Sequence, residues 1–160
     1  MLRPSLSWRF QTNNRQWQYM RLRHDVFGDT LFARTKSKRD NKYAKVFVIK
    51  FGWSRAFPMD KEGDAHDALS LLFQRDGVPP KIIVYGPKEH TMVIFKRNVA
   101  EAGCHLRQTE PESLCRMAAE GGIHELKRGS GRNMTKMKSP KLLWENCLEL
   151  EAYICSNTAL

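Results

Sequence analysis

The sequence predicts a single α/β domain with a mixed five-stranded sheet flanked by helices, in the order βββ-α-β-α-β-α-α. First, the chain has 160 residues, of which 41% are hydrophobic, which suits one domain with one core. Second, β-branched and aromatic residues separated by polar turns fill residues 25–58, which is typical of an antiparallel meander. Third, helical apolar stripes then alternate with short apolar runs, a pattern typical of helices that connect strands of one sheet.

Three strands are predicted near residues 25–34, 43–51 and 53–58. The polar stretch 36–42 separates the first two, and Gly52 joins the last two in a tight turn. We therefore expect the three strands to pair in sequence order as an antiparallel meander.

The first helix is expected to begin with Asp60 as its cap and to end at Asp76-Gly77. Its apolar stripe is Ala65, Ala68, Leu69 and Leu72. The run Ile82-Ile83-Val84 follows two prolines and predicts a buried fourth strand.

The rest of the chain predicts three helices and the fifth strand. Gly86-Pro87 starts a helix with the stripe Met92, Phe95, Val99 and Ala102, and residues 104–109 form the strand. A third helix is expected over about 113–128, with Gly129-Ser130-Gly131 as a helix break. Ser139 and Pro140 then start the last helix, whose stripe is Leu143, Cys147, Leu150 and Ile154.

The net charge of +10 is concentrated near the N-terminus, because residues 1–50 carry 12 basic and 3 acidic side chains. Residues 1–23 are interpreted as a basic arm or linker, and residues 24–160 as the folded core. Aromatic residues that can stack on bases lie among the arginines of the arm: Trp8, Phe10, Trp17 and Tyr19.

A second basic stretch follows residue 126. It consists of Lys127, Arg128, Arg132, Lys136, Lys138 and Lys141. Such clustering indicates a polyanionic partner, most often a nucleic acid, and these six residues are the predicted nucleic-acid-binding set. A solvated, soluble surface is the alternative interpretation.

The sequence lacks the features that are typical of membrane-spanning, exported and zinc-binding proteins. The longest aliphatic or aromatic run, Val46-Phe47-Val48-Ile49, is far shorter than the roughly 20 residues of a membrane-spanning helix. The N-terminus has no signal-peptide pattern, so we expect an intracellular protein, nuclear or cytoplasmic. Four cysteines and five histidines show no zinc-binding spacing, and packing or surface roles are expected for them. Asp60, Asp64 and Asp67 are interpreted as partners of a helix start.

Chemistry is expected where strands of an open α/β sheet end. Asp29 lies in the first strand, Tyr85 ends the fourth, and Glu120 lies on a helix that should pack beside them. Taken alone, a strand Asp is more often a hydrogen-bonded structural residue, and a helical Glu is more often solvated.

Five segments together resemble the catalytic core of retroviral and LTR-retrotransposon integrases. They are Phe27-Gly28-Asp29-Thr30-Leu31-Phe32-Ala33, Phe51-Gly52-Trp53-Ser54, Gly77-Val78-Pro79-Pro80-Lys81-Ile82-Ile83-Val84-Tyr85-Gly86, Gln108-Thr109-Glu110-Pro111 and Ala118-Ala119-Glu120. The resemblance covers residues 24–160, in family order and with matching spacing. It implies a ribonuclease H-like fold, which agrees with the element order predicted from periodicity.

The resemblance also implies a reaction. In that family an Asp, Asp, Glu triad holds two Mg²⁺ or Mn²⁺ ions, about 3.5–4 Å apart, that promote DNA 3′-end processing and strand transfer. Position by position, the first Asp is Asp29, the Glu is Glu120, and the second Asp falls on Tyr85. DNA is the implied partner, with self-association of the core and no small-molecule substrate.

Two departures from the family pattern predict impaired catalysis. Tyr85 offers a neutral phenol where a carboxylate is expected. Residues 111–117 also depart, because Cys115 replaces a Trp and Met117 replaces an Asn of the family pattern. Two alternatives stay open: a non-enzymatic nucleic-acid-binding module with the same fold, and an inert product that does not fold stably.

Overall fold

The computed structural model describes residues 22–50, 52–85, 89–109 and 114–158. Its strands are β1 (Val26–Phe32), β2 (Tyr43–Val48), β3 (Ser54–Met59), β4 (Lys81–Tyr85) and β5 (His105–Thr109). Its α-helices are α1 (Ala65–Arg75), α2 (Glu89–Glu101), α3 (Leu114–Lys136) and α4 (Trp144–Thr158), and 3-10 helices precede α1 (Glu62–Asp64) and α4 (Lys141–Leu143). This order confirms the predicted succession of strands and helices.

The five strands form one mixed sheet in the order β3-β2-β1-β4-β5. β1, β2 and β3 pair antiparallel, as the meander prediction required. β4 lies parallel to β1 and to β5, because helices connect these strands and return the chain to the same edge.

Successive side chains along the strands pack into two hydrophobic cores, one on each face of the sheet. Val26 and Phe47 pack on one face with residues of α1 and α2. Phe27 and Leu31 pack on the opposite face with Ile123 of α3 and with α4. The central strand β1 is therefore covered on both sides, and its neighbouring residues face different helix layers.

The predicted end of α3 is wrong, since the helix runs through Gly129-Ser130-Gly131 to Lys136. Gly129 and Ser130 are buried, and a Cβ on Gly129 would collide with the side chain of Glu151 in α4. The small residues thus permit close packing of two helices and do not break α3. The helix ends at Lys136, and two residues further on Lys138 adopts a positive φ of 50°.

Two helix starts also differ from prediction. Asp60 is exposed and precedes the 3-10 helix, whereas Asp64 immediately precedes α1. At the other end, Pro140 rather than Ser139 occupies the cap position of the 3-10 helix before α4, without a side-chain cap hydrogen bond. The Gly86-Pro87 start and the arm over residues 1–21 lie outside the described residues.

The predicted apolar stripe of α4 is only partly buried. Cys147 is buried, but Leu150 is 37% exposed and Ile154 is 41% exposed. Leu148 and Ala152 take their places in the core, because α4 crosses the sheet with that face inward. Among the described residues, no helix combines the length and the apolar character needed to cross a membrane.

Candidate functional site

Asp29 and Tyr85 follow the last residue pair that joins the two central parallel strands. The β1–β4 register ends with Gly28 opposite Val84, so Asp29 and Tyr85 are the next residue on each strand. The carboxyl ends of parallel strands are where open α/β sheets place functional groups. The backbone therefore sets the two sequence-predicted positions side by side, while the Tyr85 side chain lies outside the described residues.

Gly28 precedes Asp29 at a crowded point of the sheet. A Cβ built there would lie 3.2 Å from the Phe47 ring and 3.4 Å from a Val84 methyl group. Because the first of these distances is tighter than ordinary van der Waals contact, a larger residue would push Phe47 or shift β1. A glycine at this position lets β1 and β2 hold Asp29 where the pairing with β4 ends.

The Asp29 carboxylate is half-buried and accepts a hydrogen bond from the Thr30 backbone amide, with 2.7 Å between Oδ1 and the nitrogen. Asp29 lies between Phe27 and Leu31 on β1, so strand alternation places it on the face that α3 covers. The carboxylate thus lies at the border between the sheet and that helix layer.

Lys45 is a buried charged residue that sequence reasoning missed, on the face of the sheet opposite to Asp29. It lies on β2, is 7% exposed, and its Nζ lies 3.2 Å from Thr30 Oγ1 and 5.9 Å from the centre of the Phe95 ring. Burial lowers the pKa of Lys45 to about 8, against the opposing effects of the Asp29 and Glu62 charges. The signal in the sequence was its position between Tyr43 and Phe47, which alternation places on an inward face.

Glu120 lies on α3, on the same side of the sheet as Asp29. Its side chain is exposed, and it precedes by three residues Ile123, which packs in the core with Phe27. Residues three apart share a helix face, so Glu120 projects from the face of α3 that lies over the sheet or at its border. Asp29 and Glu120 therefore lie on the same side of the sheet.

The described carboxylates do not fit a pair of divalent ions. Nowhere in the described ranges do three or more His, Cys, Asp or Glu side chains come together as metal ligands. Asp29 and Glu120 supply two carboxylates, and Asp29 Oδ1 already accepts the Thr30 amide. Two hard cations need more oxygen ligands than these residues offer.

The six predicted nucleic-acid-binding residues are all exposed. Arg128, Arg132 and Lys136 are spaced four residues apart, so they follow one another along a single face of α3. Arg128 also lies 3.1 Å from Glu125, in an exposed ion pair that costs little to break. Lys138 lies in the turn after α3, and Lys141 begins the 3-10 helix before α4.

Solved structures with the same architecture are found among viral integrases. The catalytic core domain of BIV integrase superposes with a TM-score of 0.62 and 14% identity, over 81% of this chain and 80% of that chain. This chain has the fold of a retroviral integrase catalytic core. A simian T-cell lymphotropic virus intasome, in complex with a PP2A regulatory subunit, matches with a TM-score of 0.64 and 16% identity.

The ribonuclease H-like fold class is thereby confirmed for the integrase-like core. The match with the intasome covers 83% of this chain and 48% of the viral chain, so the chain spans about half the length of that relative. No protein-family model and no curated protein sequence matches the chain.

Two of the cysteines and one of the helix-start aspartates have environments that the structure describes. Burial raises the pKa of Cys104 to about 11, which disfavours the reactive thiolate. Burial also raises the pKa of Cys155. Asp64 accepts a hydrogen bond from the Lys61 amide at 3.2 Å, in agreement with its interpretation as part of a helix start.

Proposed function

We propose that this chain is a DNA-binding, integrase-like core, related to two-metal polynucleotidyl transferases, whose DNA 3′-end processing and strand transfer are impaired. One observation carries the proposal: Asp29 and Tyr85 are neighbours where the central parallel strands stop pairing. By the resemblance of the sequence motifs, Tyr85 falls on the position of the family's second Asp. A phenol is neutral near pH 7, so it brings no negative charge to bind a cation.

The basic row supports DNA as the partner. Arg128, Arg132 and Lys136 present charges about 6 Å apart along α3, since each helical residue rises about 1.5 Å. Phosphates of one DNA strand lie at a comparable spacing, and neutralising them releases counterions. An elongated basic surface of this kind binds a duplex through its backbone, largely independently of sequence.

The remaining carboxylates define what chemistry is left. Mg²⁺ or Mn²⁺ bound by the family triad supplies charge stabilisation for the attacking and leaving oxygens. In this chain Asp29 and Glu120 are the groups that would face such an ion. The Thr30 amide orients the Asp29 carboxylate. The neutral Tyr85 side chain does not supply the third negative charge of the family triad.

The DNA-binding part is tested by salt dependence with two matched double variants. Arg132→Gln with Lys136→Gln removes two charges from α3, and Lys96→Gln with Arg97→Gln removes two exposed charges from α2, on the other side of the sheet. We expect the first pair to lower the slope of log K against log salt by about 1.8, at about 0.9 for each phosphate contact. The α2 pair should leave the slope unchanged, and a salt-independent wild type would refute DNA binding.

The catalytic part is tested at Tyr85. Tyr85→Asp restores a carboxylate beside Asp29, so we expect Mg²⁺-dependent strand transfer to appear in this variant and to be negligible in the wild type. Tyr85→Phe is the matched control, because it removes the hydroxyl without adding charge and should stay inactive. Full activity of the wild type, or activity of Tyr85→Asp without metal, would contradict the assignment.

A second candidate is a nucleic-acid-binding module without any chemistry. It is favoured by the finding that the described residues hold no cluster of three metal-ligating side chains. Titration with Mn²⁺ separates the two: an impaired active site binds the ion through Asp29 and Glu120, and Asp29→Asn abolishes that binding. In either case we propose an intracellular protein that self-associates on DNA and uses no small-molecule substrate.

A further inference from the structure

A cavity of about 340 Å³ lies between the end of β1, α3 and the start of α4. Its apolar lining includes Leu31, Met134, Trp144 and Leu148. This volume is at the small end of the range of about 300–1,000 Å³ that is typical of ligand pockets. It suits one planar ring system and is too small for a duplex.

The charges around the cavity have one sign. Arg34, Lys127 and Lys141 line it, and no Asp or Glu is among its lining residues. Three cations around an apolar, aromatic interior favour a ligand that has a flat apolar part and carries negative charge. The flat part would contact the Trp144 indole, whose Nε1 is buried and has no hydrogen-bond partner within the described ranges.

The cavity lies on the side of the sheet that carries the candidate site. Leu31 follows Asp29 by two residues on β1, and Lys127 follows Glu120 by two turns of α3, about 10 Å along the helix axis. Lys127, Ser130, Gly131 and Met134 form the face of α3 that lines the cavity, whereas Arg128, Arg132 and Lys136 lie on another face of the helix. Lys127 and Lys141, which line the cavity, are therefore the basic residues placed to hold a nucleic-acid strand at its mouth.

We propose that this cavity receives one unpaired nucleobase of the bound DNA, which contacts Trp144 while Lys127 and Lys141 hold the flanking phosphates. The proposal rests on the proposed DNA-binding function and adds a subsite to it. The base has to be unpaired, because a base inside a duplex stack cannot enter a pocket of this size.

The wild-type chain tests the proposal through paired DNA ligands. One is a short duplex with a three-nucleotide single-stranded overhang, and the others replace each overhang nucleotide in turn with an abasic unit. We expect one abasic position to weaken binding about fivefold or more, since stacking on an aromatic side chain contributes that much per base. A 2-aminopurine at that position should lose fluorescence on binding, because it stacks on Trp144.

Gly131 provides the matched variants. It lines the cavity within α3, and a Cβ there would meet nothing within 4 Å. Gly131→Leu should fill the cavity and abolish the difference between base and abasic ligands, whereas Gly131→Ala should keep it. Because the abasic comparison and the fluorescence change use the wild type, the test does not depend on the folding of either variant.

The outcomes separate this inference from the function on which it rests. Steep, salt-dependent binding of blunt duplex with no loss at any abasic position would refute the base subsite and leave DNA binding intact. Absence of all DNA binding would refute both. A wild type that binds acidic peptides with an apolar anchor, and is indifferent to abasic substitution, would assign the cavity to a protein partner and refute the proposal.

Discussion

Arg39 Nε lies 2.7 Å from Glu145 Oε1, across 106 positions of sequence. The Glu145 side chain is fully buried at the start of α4, and Asn41 Nδ2 donates a second hydrogen bond to it at 2.7 Å. The backbone amide of Lys38 also donates to the Leu142 carbonyl at 2.8 Å. These contacts fasten the turn between β1 and β2 to the C-terminal helix.

Glu145→Ala should lower the free energy of unfolding by about 2–3 kcal/mol, because it removes charge-assisted hydrogen bonds and leaves Asn41 without its partner. The loss stays below the about 3–5 kcal/mol of a fully buried pair, since Arg39 is 56% exposed and regains water. Urea unfolding measures the change. Glu149→Ala is the control: Glu149 contacts the same arginine but is 39% exposed, so its loss should stay within about 1 kcal/mol.

The Glu145 carboxylate should also make the stability of the fold depend on pH. Burial alone would raise the pKa of Glu145, but hydrogen bonds from Asn41, Arg39 and Ser37 outweigh it and hold the pKa below its ordinary value of 4.5. The folded chain therefore binds this proton less readily than the unfolded chain, and the resulting stability is complete above pH 4.5 and is lost as the pH falls further. The stability difference between wild type and Glu145→Gln should shrink below that pH. A difference that grows on acidification would contradict this.

Lys45→Met should stabilise the chain at pH 7 by about 1–3 kcal/mol. Its pKa of about 8 in the fold, against 10.5 ordinarily, means that the buried ammonium is costly at neutral pH. As the pH rises from about 8 to 10.5 the folded state loses this proton first, so wild-type stability rises and the advantage of Lys45→Met narrows. Denaturation at pH 7 and at pH 10 measures both effects.

The control for that substitution is Lys36→Met. Lys36 is exposed in the turn between β1 and β2, so removal of its charge should change stability by no more than about 0.5 kcal/mol. A destabilised Lys45→Met would mean that its bond to Thr30 Oγ1 outweighs the cost of burial.

Two glycines of α3 should respond oppositely to alanine. Gly121→Ala should stabilise by about 0.5–1 kcal/mol, because alanine favours the helix and a Cβ there meets nothing within 4 Å. Gly129→Ala should destabilise by about 1–2 kcal/mol, because its Cβ displaces Glu151, which accepts a hydrogen bond from Asn133 at 2.7 Å. Thermal unfolding of the two variants tests this, and equal stabilisation by both would show that α3 and α4 do not pack closely at Gly129.

The fold was largely predictable because its signals are local. The strand-like pattern of residues 25–58 predicted β1 to β3. The apolar stripe of α1, which is Ala65, Ala68, Leu69 and Leu72, is buried as expected. The run Ile82-Ile83-Val84 is a buried central strand for the same reason. The place of Asp29 within a strand was predicted for the same reason, and its role as a site residue stays a prediction.

The predictions from sequence were wrong where contacts between residues far apart in the chain determine the structure. Gly129-Ser130-Gly131 in isolation has the composition of a helix break, yet α3 continues through it, and the side chain of Glu151 on α4 occupies the space that a Cβ on Gly129 would need. Leu150 and Ile154 match helical periodicity, but which face of α4 turns inward depends on its crossing of the sheet.

The sequence by itself determined the order of the elements, the integrase-like motif around Asp29, the tyrosine at position 85 and the basic row after Glu120. Only the tertiary structure decided that Lys45 is buried beside Thr30, that Glu145 holds the turn between β1 and β2, and that a cavity lies beyond Leu31. The physical reason is that periodicity and turn chemistry act over a few residues, whereas burial of a charge and the shape of a cavity depend on separate elements, 15 positions apart for Lys45 and Thr30 and 106 for Arg39 and Glu145.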